Sequence, residues 1–212
     1  MSEDLPHLRV ETWHQAVPPA AVPVPAAHVA ELHRARAIAS LPGIGLLHDL
    51  RVLGEARRDA DGTDRLDLVP ELDYWRTRIT PERPVIPRRV DVDRVWIEHR
   101  LDYEPDEDQE QRPVPPPGDA GALLRRLAPG PDQPGARTPV PARTVAHLHG
   151  RRIIQATPLG FAWDLRAVSE PYDTDGEIVL NLTSAYDYHR LLLTGQAPDD
   201  LTPCPLYLLW TE

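Results

Sequence analysis

The sequence predicts an α+β protein dominated by antiparallel strands, about eight or nine of them joined by hairpins, with two or three helices. Two observations predict it. Residues Arg94 to Tyr103 alternate cleanly, with Val95, Ile97, His99, Leu101 and Tyr103 on one face and Trp96, Glu98, Arg100 and Asp102 on the other, which is the period of a strand. Two turn sequences, Asp59-Ala60-Asp61-Gly62 and Asp173-Thr174-Asp175-Gly176, separate strand-like runs as hairpin turns do. Together they favour a meandering sheet over a parallel α/β fold.

The elements follow in order. After a short strand-like start, Leu8 to Trp13, the prolines of Val17 to Pro25 favour an extended polyproline path and exclude both helix and central strand. A helix fits Ala26 to Leu41, with Val29, Leu32, Ile38 and Leu41 on one side and Pro42-Gly43 as its stop. Leu46 to Val69 reads as a hairpin around Asp59–Gly62, with a helix over Ile44 to Arg58 as the competing assignment. Strands are expected at Leu72 to Ile79 and Arg94 to Tyr103, separated by a proline-rich surface crossing, Pro81 to Pro87.

Residues Glu104 to Gly118 are acidic and then proline-rich, Ala120 to Ala128 suits a short helix, and Pro129 to Pro141 is again rich in proline and glycine. The expected division is an N-terminal α+β part, 1–103, an acidic and proline-rich linker or excursion, 104–142, and a C-terminal β-rich part, 143–212; one continuous domain is the other arrangement. In the last part strands are expected at Thr144 to His149, Arg152 to Ala156, Phe161 to Val168, Glu177 to Thr183 and Leu206 to Trp210. A helix from Ala185 to Thr194 has Ser184 as N-cap, Asp187 at its third position and Gly195 as its left-handed stop. No internal repeat of about 20 to 50 residues emerges.

Composition excludes several chemistries. The 23 Lys+Arg residues are all arginine, so a Schiff-base lysine, a lysine general base and a Walker A loop are ruled out; a guanidinium clamps and stacks but does not transfer protons. Abundant Ala, Leu, Asp and Arg, 25 Pro and single Phe and Met residues suggest a GC-rich genome, that of a soil-type bacterium or its phage. A net charge of -10 without basic tracts argues against bulk nucleic-acid binding. Neither a signal peptide nor an apolar run of membrane-spanning length is read, so a cytoplasmic protein or virion component is expected. The lone Cys204, between Pro203 and Pro205, reads as a buried thiol rather than a nucleophile.

Candidate sites are few. His147 and His149, two apart on an expected strand, would point to one face and share a metal if His99, Asp164 or His189 supplied a third ligand. Asn181 to Ser184 leads into a helix N-terminus that suits an anion, or ordinary capping. Tyr186, Tyr188, Arg190 and Trp210 are candidate partner contacts, since aromatic and arginine side chains dominate protein interfaces. The acidic run Asp102 to Glu110 lacks EF-hand spacing. The resulting expectation is a non-enzymatic structural or adaptor subunit that binds other proteins in a larger assembly, with phage and phage-like particles among the candidates; its partners are expected to be other proteins or further copies of the chain in a homo-oligomer. No cofactor is expected. The alternative is a small metal-dependent enzyme using His147 and His149 and a divalent metal in a β-barrel-like site.

Overall fold

The computed structural model describes residues 13–100 and 133–212; the expected strand start at Leu8 and helix at Ala120–Ala128 lie outside them. The chain divides into two compact units, a first comprising Pro19–Arg137 and a second comprising Met1–Pro18 with Thr138–Glu212.

The first unit contains β1 (Ala21–Pro25), β2 (Arg36–Leu41), β3 (Gly45–Val52), β4 (Arg57–Arg58), β5 (Asp64–Pro70), α1 (Glu71–Ile79), β6 (Arg88–Asp91) and β7 (Val95–Arg100). Its sheet runs β1-β7-β2-β3-β5-β4, with β6 also paired to β5. A single 3-10 turn, Val92–Arg94, joins β6 to β7, so strands near opposite ends of that order lie next to each other along the chain and the sheet must curl. Leu66, Leu68, Val52, Val95 and Ile97 fill its interior.

The second unit contains β8 (Val140–Pro141), β9 (Arg152–Thr157), β10 (Gly160–Ala167), β11 (Tyr172–Thr174), β12 (Glu177–Ser184), α2 (Ala185–Thr194), β13 (Thr202–Pro205) and β14 (Leu209–Thr211). Its order is β11-β12-β10-β9-β14-β8, with β13 on β12. Leu148, Ile153, Leu180, Leu182 and Leu209 form the core. The fold is α+β and mostly antiparallel, as expected; the fourteen strands among the described residues exceed the eight or nine anticipated.

The second unit repeats the first. Pro23-Val24-Pro25-Ala26 returns as Pro139-Val140-Pro141-Ala142, Asp49-Leu50-Arg51 as Asp164-Leu165-Arg166, and Trp96 and Glu98 as Trp210 and Glu212. Register agrees: Trp96 lies between Pro25 and Ile38, and Trp210 between Pro141 and Ile154. Both long hairpins carry a bulge with an aspartate in the left-handed region, Asp49 at φ 58° and Asp164 at φ 59°. Loop hydrogen bonds recur as well: the Val52 amide donates to the Ala35 carbonyl at 3.0 Å and the Ala167 amide to the Arg151 carbonyl at 3.1 Å. The repeat spans residues 22–98 and 138–212, longer than the 20 to 50 residues over which none had emerged.

Several expected elements are corrected. Ala26 to Leu41 is not a helix: a 3-10 turn at Ala26–His28 leads through a left-handed Arg34 (φ 68°) into β2. Ala37, Ile38 and Ala39 are all buried there, because β2 is covered on both faces and needs small side chains that happen to favour helix. Leu72 to Ile79 is helix α1 rather than a strand; Glu71 and Asp73 at its start and Arg76 and Arg78 at its end suit the helix dipole. Thr144 to His149 is no strand but the end of a 3-10 turn followed by a loop, and Leu206–Leu208 is a 3-10 turn before β14. Ala21–Pro25 does form a strand, at the sheet edge where proline is tolerated. Helix α2 has the predicted ends: Ser184 Oγ accepts the Asp187 amide at 3.0 Å, and Gly195 closes it at φ 75°.

Candidate functional site

His147 and His149 flank the buried Leu148 in a loop, and both are exposed. They bracket Glu170 rather than converge on a shared ligand position. The Leu148 amide donates to Glu170 Oε2 at 3.0 Å, and His147 Nδ1 lies 3.8 Å from Oε1. The Leu148 amide, then the His149 amide and the two imidazoles, hold the Glu170 carboxyl below the usual carboxylate range. Of the suggested third ligands, His99 belongs to β7 of the first unit; in the second, Asp164 stands at the β10 bulge and His189 inside α2, where its Nδ1 donates to the Ala185 carbonyl at 2.6 Å. Among the described residues no group of three or more His, Cys, Asp or Glu side chains is placed to hold a metal ion. Cys204 is buried on β13, and burial pushes its thiol up.

The proposed partner contacts separate. Tyr188 is buried, with the Arg166 guanidinium 5.7 Å from its ring centroid. Tyr186 is exposed, and Arg190 stacks over it at 5.9 Å while pairing with Asp187 at 3.0 Å and Asp199 at 2.9 Å. Thr183 is buried and Ser184 caps the helix, so Asn181–Ser184 has a structural use in place.

Trp210 lies on β14 and lines a cleft of about 290 Å³ with His14, Val17, Pro141, Arg143 and Tyr207. The cleft follows from the sheet edge: Pro141 in β8 and a 3-10 turn at Leu206–Leu208 keep further strands away, leaving aromatic rings uncovered. Val17 and Tyr207 are exposed beside it. The sequence pointed to Trp210 but not to Tyr207, whose exposure depends on that turn. Other uncovered apolar side chains recur between copies: Ile44 and Leu159 at the corresponding hairpin tips, and Leu72 and Tyr186 at the corresponding helix starts.

Neither a known protein family, a curated protein nor a solved structure matches this chain.

Proposed function

We propose that the protein is a non-enzymatic adaptor or structural subunit, built from two copies of one β-rich unit, that binds other proteins in a larger assembly. The observation that carries this reading is the cleft beside Trp210, where aromatic, proline and cationic side chains line one hollow. Such side chains bury large areas at little entropic cost and form the energetic centres of protein interfaces. A second support is the recurrence of exposed apolar residues at matching positions of both copies, since a tandem array can bind multivalently.

The test is to purify the tagged chain from the cells that encode it and weigh the native particle. A mass well above 23.8 kDa, reduced when Tyr207→Asp is introduced, supports the adaptor. Failure to recover any complex, or roughly stoichiometric zinc, iron or manganese lost on His147→Ala, overturns it.

A further inference from the structure

The two copies differ most usefully on one face. In the first unit, β5 is flanked by β4 and β6, and Arg65 lies opposite both Arg57 and Asp91. The outward face there is a network of charges. Arg65 pairs with Asp59, with Asp61 at 2.7 Å and with Asp91 at 2.7 Å, while Arg89 reaches Asp59 and Asp67 at 3.3 Å each. These cations and carboxylates satisfy one another and need no partner.

At the matching place in the second unit, β12 is flanked by β11 and β13, and Val179 lies opposite both Tyr172 and Pro205. Arg65 has become Val179, Asp91 has become Pro205 and Arg89 has become Pro203. The result is a hollow of about 380 Å³ with Val179, Tyr172, Pro203 and Pro205 as its apolar lining and Asp175 and Glu177 at its rim. Tyr172 is held in place by its hydroxyl, which donates to Asn181 Oδ1 at 2.7 Å. Asp175 and Glu177 are exposed, and neither pairs with a described cation. Strand addition is not the use of this edge, because Pro203 and Pro205 on β13 offer no amide.

We propose that this face of the second unit is a docking site for a peptide segment of a partner protein that inserts an apolar side chain beside an arginine or lysine. The apolar side chain fills the hollow against Tyr172 and the prolines, and its basic neighbour meets Asp175 and Glu177. The first unit, with its self-satisfied charges, lacks the site. This assignment rests on the adaptor reading and deepens it by naming the ligand's chemistry.

The probe is a displayed library of random dodecapeptides, selected on the immobilised full chain. Enriched peptides are expected to carry proline or an aliphatic residue next to a basic one, and to bind the Tyr172→Ala and Glu177→Arg variants at least tenfold more weakly. Tyr172→Phe, which keeps the ring and loses only its hydrogen bond to Asn181, should bind more tightly than Tyr172→Ala, and each variant's melting curve is recorded alongside to separate loss of the ring from loss of fold. Absence of enrichment, or peptides indifferent to Tyr172→Ala and Glu177→Arg, overturns the site. Peptides indifferent to these variants but lost on Tyr207→Asp leave the adaptor reading standing, as does a native complex recovered without any peptide selection.

Discussion

The Arg51 guanidinium lies over the ring of Tyr74, 5.5 Å from its centroid, and donates from Nη1 to the Arg34 carbonyl at 3.2 Å. The second unit repeats the arrangement with Arg166 over Tyr188 at 5.7 Å and Nη1 on the Gly150 carbonyl at 2.9 Å. In each copy one arginine from the long hairpin ties the helix to the loop that precedes the first inner strand. Arg51 also pairs with Glu71 at 3.1 Å, so that corner carries three contacts on one side chain.

Arg166→Ala is therefore expected to destabilise the second unit by about 1.5–3 kcal/mol, combining a partly desolvated cation–π contact with a charge-assisted hydrogen bond. For a unit of this size that is a fall in melting temperature of roughly 6–20 °C. Arg166→Lys should recover little, because an ammonium does not stack on the ring while holding the carbonyl. Thermal unfolding of the three proteins checks this; a loss below ~0.5 kcal/mol would show the contact to be incidental.

Gly150 and Arg34 occupy matching positions, and both are left-handed, at φ 79° and 68°. Glycine takes that conformation freely, whereas other residues lose about 1–2 kcal/mol there. A Cβ at Gly150 would lie 2.7 Å from the Tyr188 hydroxyl. Gly150→Ala should thus cost about 1–3 kcal/mol and weaken the Arg166–Tyr188 contact. Denaturant titration of the single variant, and of the double variant with Arg166→Ala, checks the coupling: the two losses should be less than additive.

The repeated architecture explains how much was legible. Helix α2 could be read because both its signals are local, Ser184 at the start and Gly195 at the end. Helix α1 is the same element, but Leu72, Tyr74 and Trp75 suit a strand as well, and Pro70 offers no side-chain cap. Likewise Ala26 to Leu41 suggests a helix and Thr144 to His149 a strand, although the structure gives their starts one conformation, a 3-10 turn entered from proline. Alanines bias the first and β-branched residues the second, while pairing of Ala37–Ala39 with β7, far along the chain, makes a strand of the first, and Thr144 to His149 belongs to no strand. Trp210 is legible singly, but the rest of its cleft and the whole Val179 face are made by strand neighbours distant in sequence. Aligning the two halves was the available signal: it marks Arg65 against Val179 and Arg89 against Pro203.

Glu170 makes the His147–His149 loop sensitive to acid. Its carboxyl is held below its ordinary value by the Leu148 amide first, so the stabilisation is present above the unfolded-state pKa and disappears as pH falls through the lower folded-state value. Protection of the Leu148 and His149 amides, measured against their intrinsic exchange rates, should fall below about pH 4, and Glu170→Gln should show a flatter profile in that range. Equal acid dependence in parent and variant would assign the effect to another group.

Cys204 reports on the second unit. Buried on β13 with its pKa raised by burial, it should resist a thiol reagent near neutral pH in the folded protein and react once, quickly, in denaturant. Across a denaturant titration its labelling should follow unfolding of the second unit and shift with Gly150→Ala. Rapid labelling of the native protein would mean that β13 opens readily from β12.

Arg137 closes the first unit from a stretch otherwise rich in proline and glycine. Its amide and carbonyl exchange hydrogen bonds with Ala21 at 2.9 Å each, and its guanidinium reaches the deeply buried Glu98 at 3.2 Å and Asp49 at 3.2 Å. Arg36 meets the other Glu98 oxygen at 2.9 Å, so removal of Arg137 leaves a buried carboxylate with one cation instead of two. Arg137→Ala is expected to cost about 2–3 kcal/mol, less than the 3–5 typical of a fully broken buried pair because Arg36 remains. The same contacts predict that a Gly/Ser replacement of Arg137 to Pro141 melts well below the parent, because it removes both Arg137 and β8; a melting temperature equal to the parent's would show that neither contributes to stability.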